Sequence, residues 1–132
     1  MADPSLALQG VVYSRLKQDC PSVDERVYDR PPQGVVFPYI SLGEWQTIDD
    51  SADCIDGVEI FGTLHVWSQA VGQVEAKVVA SEVRTCLHGA ELDLGPAWQF
   101  HLIEHRTTNV LADPDGVTTH AAITFRALID AR

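Results

Sequence analysis

The sequence predicts an α+β domain, with two helices packed on one face of a four-stranded, mainly antiparallel sheet in the order αββαββ. Three observations carry this. Two stretches place apolar residues at helical spacing, two others alternate apolar and polar residues, and turn-forming residues separate the strands in pairs.

The first helix runs from Pro4 to about Asp19, with Leu8, Val11, Val12 and Leu16 on one stripe. Asp3 suits the N-cap, and Pro4 the first helical position, where its missing N–H is no loss. Cys20-Pro21 stops the helix, and residues 21–34 read as an irregular crossing around Pro31-Pro32-Gln33-Gly34. A strand follows at about Phe37–Trp45, with Pro38 at its start. In the next strand, Val58–Trp67, the core side chains Val58, Ile60, Leu64 and Val66 alternate with Glu59, Phe61, Thr63, His65 and Trp67. Gly72 to about Leu87 is the second helix, burying Val74, Val78, Val79, Val83, Cys86 and Leu87, with His88-Gly89 as its stop. In the third strand Trp98, Phe100 and Leu102 alternate with Gln99, His101 and Ile103, continuing to about Thr108. Asp113-Pro114-Asp115-Gly116 is a turn. The last strand alternates Thr119, Ala121, Ile123, Phe125, Ala127 and Ile129 with His120, Thr124 and Arg126.

Composition narrows the function. The 132 residues are expected to form a single domain, 1–132, burying about 14,000 Å² on folding. No apolar run approaches a membrane span, and the start of the chain lacks the basic and apolar regions of a secretory signal. Nine Lys and Arg against nineteen Asp and Glu give a net charge of −10, without the basic stripe that binding to phosphates or anionic membranes needs. Three cysteines at long spacings suit a reducing compartment and small buried hydrophobes, not a zinc site or disulfide scaffold.

Candidate chemistry is sparse. His65, His101, His105 and His120 are expected on the sheet face opposite the aliphatic stripe. Four residues of strand put His101 and His105 about 13 Å apart, too far for one ion with nitrogen ligands near 2.1 Å. Glu104 is expected on the other face. No nucleophile elbow, catalytic cysteine context or phosphate-binding glycine loop is present, so no metal, no cofactor and no enzymatic activity are expected. Seven acids and no Lys or Arg lie between Arg30 and Lys77. Four of them (Asp49, Asp50, Asp53, Asp56) fall in the segment Thr47–Gly57, read as a long solvated hairpin loop without the order of a calcium-binding EF-hand. Phe61 and Trp67, beside His65, place large aromatics on the second sheet face, which marks it for self-association.

Three stretches resemble one family. They are Phe37-Pro38-Tyr39-Ile40-Ser41-Leu42-Gly43-Glu44, then Asp56-Gly57-Val58-Glu59 running into Leu64-His65-Val66-Trp67-Ser68, and Asp113-Pro114-Asp115-Gly116. They are similar to the tail completion, or tail terminator, proteins of long-tailed phages and of gene transfer agents. That resemblance implies a structural subunit of a homo-oligomeric, hexameric ring that caps the head-proximal end of the tail tube and docks the tube to the head–tail connector (stopper) protein. DNA would pass through the lumen without specific binding. The protein would assemble in the bacterial cytoplasm and end in the phage-like particle. The alternatives are another head–tail joining protein (a stopper or adaptor), or a small ligand-binding domain or enzyme.

Overall fold

The computed structural model describes residues 2–132. Helix α1 spans Ser5–Asp19 and buries Leu8, Val12 and Leu16 on one stripe, as their spacing dictates. Pro4, not Asp3, takes the cap position, and the Asp3 carboxylate accepts the Ser5 N–H at 2.8 Å. A single 3₁₀ turn, Pro21–Val23, follows.

The sheet has five strands rather than the expected four. Strand β1, Val27–Tyr28, lies within the segment read as irregular and runs parallel to β2 (Tyr39–Asp49), pairing Val27 with Ile40 and Tyr28 with Ser41. Two residues are too few to show alternation. Buried Val27 and the bond from Ile40 N–H to the Arg26 carbonyl (2.9 Å) fix β1 instead. Next come β3 (Gly57–Ser68), α2 (Val74–Leu87), β4 (Trp98–Ala112) and β5 (Thr119–Ala131), in the spatial order β1-β2-β3-β5-β4. Every pair after β1-β2 is antiparallel.

Both helices pack on the face built by Ile40, Ile60, Leu64, Val66, Ala121, Ile123, Phe125, Ala127 and Ile129, forming one continuous core. Each fully buried Leu or Ile contributes about 1.5–3 kcal/mol of transfer free energy. In α2 the buried stripe is Ala76, Val79, Ala80, Val83, Cys86 and Leu87, while Val74 and Val78 face out at 74% and 47% exposure. Val78 precedes Val79 by about 100° of helical rotation, which carries it off the stripe that Val79 and Val83 define. Gly89, at φ +71°, closes the helix in the left-handed conformation that glycine adopts without strain.

Strand β4 departs furthest from expectation. Irregularities between Phe100 and Leu102 and between His105 and Thr107 each add a residue against β5. A bulge exchanges the faces that follow it. Ile103 is therefore buried in the core and Leu102 is not.

Candidate interface on the open sheet face

The face of the sheet away from the helices carries the odd-numbered side chains of β3, Glu59, Phe61, Thr63, His65 and Trp67, with their cross-strand neighbours. Register, not sequence proximity, builds the site there. Trp67 is paired with Tyr39 on one side and His120 on the other. The Trp67 ring stacks on His120 with centroids 4.0 Å apart and planes 5° apart, and on Tyr39 at 6.3 Å and 23°. Phe37 and Tyr28 extend the stack around Tyr39 at 5.1 and 5.9 Å. The indole N–H donates to Ser41 Oγ at 2.9 Å, so its one polar group is satisfied.

His65 lies diagonally across from His120, and Nδ1 of the first is 2.5 Å from Nε2 of the second. One imidazole donates and the other accepts, so the pair holds a single proton between its facing nitrogens. Burial holds His65 below the usual histidine range, helped by His120 and opposed by Glu44. Burial also holds His120 down, opposed by Asp113. Gly43 makes room for this pair. A Cβ there would stand 2.4 Å from His65 Nε2 and 2.8 Å from the Thr63 carbonyl oxygen.

Further along the face, Thr63 and Thr124 hydroxyls meet at 3.3 Å. Arg126 then bridges Glu59 and Glu104, the latter at 3.1 Å, and Arg106 reaches Glu104 at 3.4 Å. Glu104 thus belongs to the open face, contrary to expectation, because it follows the first β4 bulge. His101 also lies on the open side, 2.6 Å from Asp130.

His105 does not join the open face. It is opposite Phe125, with its ring edge-on at 5.8 Å on the helix side, and its backbone N–H donates to His88 Nδ1 at 3.0 Å. Its imidazole is held low by burial, with Arg84 and His88 adding to the effect. Among the described residues, no three His, Cys, Asp or Glu side chains converge as a metal site.

The four aspartates sit elsewhere. Asp49 ends β2, and the segment from Asp50 to Asp56 is a tight hairpin turn, shorter than the expected loop because the strands run on to Asp49 and Gly57. Ser51 organises it. Its hydroxyl donates to Asp49 at 2.7 Å and accepts the Gly57 N–H at 3.2 Å, while Ala52 and Ile55 exchange backbone bonds across the tip. Asp49, Asp50, Asp53 and Asp56 all point into solvent at the Gly57 end of β3. Trp67, His65 and His120 occupy the other end, about 30 Å away along the strand. Phe61 lies between, about 20 Å from Trp67 and outside its stack.

Sequence reasoning placed His65 and Trp67 together but missed Tyr39, Ser41 and the Trp67–His120 stack. The signal was the position of each on its own strand, and only the β2-β3 and β3-β5 registers join them.

The open face thus presents a half-buried aromatic stack at one end of β3 and an exposed acidic turn at the other. Residues 10–130 match the family described as tail completion protein gp17. The chain belongs to that family, which is structural and not an enzyme family. A chain in the virion of a native gene transfer agent particle shares the fold at TM-score 0.88 and 25% identity, over 98% of this chain and 99% of that one. The gp17 protein of bacteriophage SPP1 has the same fold at TM-score 0.62 and 24% identity, over 93% and 88%. No curated protein sequence matches this one. No helix among the described residues is long and apolar enough to cross a membrane.

Proposed function

We propose that this chain is the tail terminator of a phage-like particle or gene transfer agent. Six copies form a ring on the head-proximal end of the tail tube, stop its growth and join it to the head connector. The observation that carries this reading is the end-to-end likeness, at TM-score 0.88, to a chain of a gene transfer agent particle. The Tyr39–Trp67–His120 face supplies subunit contact, since stacked aromatics in a half-buried setting are what interface cores select. The acidic turn, from Asp49 to Asp56, faces the lumen or the neighbouring tail component.

The charge supports passage of DNA without capture. Counterion release needs free cations against phosphates. Only nine basic residues are present, and carboxylates already engage Arg15, Arg26, Arg106 and Arg126. Deleting the chain from cells that make the particle tests the role by electron microscopy. Unjoined heads and tails of uncontrolled length are expected, and normally joined particles of normal tail length would overturn the reading.

A further inference from the structure

We infer that the outer edge of β4, from Thr107 to Ala112, pairs with the outer edge of β2, from Trp45 to Asp49, of a second copy of this chain. β4 is the last strand of the sheet, so one side of its backbone has no ladder partner. Its first half is closed off. Two bulges interrupt it, the Gly89 N–H donates to the Ile103 carbonyl at 2.9 Å, and His88 Nδ1 accepts the His105 backbone N–H at 3.0 Å. From Thr107 to Ala112 every residue pairs with β5 without a bulge. This run holds no charge, proline or glycine, and among the described residues no backbone bond from another element reaches its outer side. Natural sheets blunt exposed edges with bulges, charges, prolines or covering segments. Here those devices stop where the run begins, which leaves it fit for pairing.

Strand alternation says which groups are free. The Asp113 N–H turns inward to the Thr118 carbonyl at 2.9 Å, so Thr108, Val110 and Ala112 turn N–H and C=O outward. On the opposite edge of the sheet β1 covers only Ile40 and Ser41. The Asp50 N–H turns inward to the Gly57 carbonyl at 2.8 Å, so Trp45, Thr47 and Asp49 turn outward. Strand direction alternates from β2 through β3 and β5 to β4, so a second copy continuing the sheet sets its β2 antiparallel to β4. Opposing Val110 with Asp49 and Ala112 with Thr47 joins the free backbone groups. The same register brings Leu111 against Ile48, which are 55% and 38% exposed on the open face. Leu111 lies opposite His120, so the contact continues the row of Tyr39, Trp67 and His120. Charge favours unlike edges. Glu44 and Asp49 leave the β2 edge acidic, and two such edges would repel, whereas the β4 run is neutral. Head-to-tail pairing of unlike edges repeats from copy to copy, and the choice of a second copy rests on the ring proposed above.

The test puts Leu111→Cys and Ile48→Cys into the full chain with Cys54→Ser, which removes the exposed native thiol. Assembled particles and concentrated pure protein are oxidised and run on non-reducing gels. The double variant is expected to give a crosslinked ladder. A mixture of the two single variants should stop at dimers, and neither single variant alone should crosslink. Crosslinking of Leu111→Cys alone would show two β4 edges together and overturn the proposal. Rings seen by electron microscopy without a crosslink in the double variant would also overturn it, and would leave the ring reading intact. A ladder running past six subunits in open filaments would support the edge pairing and overturn the ring. Ala112→Pro gives a second measurement, since it removes one outward N–H and spares the ladder to β5. It should fold like the parent and raise the concentration for half-assembly roughly tenfold. A folded variant that assembles at the parent's concentration would overturn the pairing.

Discussion

Replacing Trp67 with alanine separates the energy of the fold from that of assembly. Within one subunit the change removes two ring stacks, on His120 at 4.0 Å and Tyr39 at 6.3 Å, each worth about 0.5–1.5 kcal/mol. It also removes the 2.9 Å bond to Ser41, worth about 1 kcal/mol. The loss is about 2–4 kcal/mol, against a stability of roughly 7–20 kcal/mol for a domain of this length. The subunit therefore stays folded, with Tm lowered by roughly 8–15 °C. At a subunit contact, truncating a central tryptophan costs about 2 kcal/mol or more, a roughly 30-fold weakening of each contact. Circular dichroism reads the first effect, and sedimentation velocity over a concentration series reads the second. Ser41→Ala is the control, because it removes the hydrogen bond and keeps the ring. The reasoning fails if Trp67→Ala assembles like the parent despite a lowered Tm, or if the variant subunit does not fold.

Other perturbations probe separate parts of the account. His65 and His120 are held below their unfolded value near 6.5, so their contribution is full above that pH and is lost as pH falls through the folded values. The Tm of the parent should drop between pH 7 and 5, and the His65→Gln/His120→Gln variant should lose most of that slope. Gly43→Ala should destabilise by about 1–3 kcal/mol in urea unfolding, because the Thr63 carbonyl 2.8 Å from the new Cβ is backbone and cannot swing away. Changing Asp50, Asp53 and Asp56 to Asn, sparing the Asp49–Ser51 bond, should leave Tm unchanged or raise it by relieving repulsion. Asp50→Lys with Asp56→Lys should let particles assemble but cut DNA transfer, and normal transfer would place the turn away from the DNA path.

Legibility in the sequence followed the regularity of each element. Strand β5 was readable because its alternation from Thr119 to Ile129 runs unbroken, with each inward residue buried. Strand β4 was readable as a strand but not by face, since the bulges near His101 and Arg106 leave no local signature and move Ile103 inward, Leu102 and Glu104 outward and His105 beneath Phe125. Strand β1 was invisible because its pairing partner, not its own two residues, defines it. At the site, Phe61, His65, Trp67 and His120 were correctly put on the open face, while the place of Tyr39 and the stacking of His120 on Trp67 depend on inter-strand register. The acidic cluster was plain in composition, but its tight turn depends on the Ser51 hydroxyl, whose bonds to Asp49 and Gly57 no spacing rule anticipates.

Cryo-electron microscopy of the particle's neck tests the central claim most directly. The account predicts this fold as a six-membered ring between tail tube and head connector, with Trp67 of each subunit covered by a neighbour. Density for the chain at the distal tip, or a neck ring built of another fold, would contradict it.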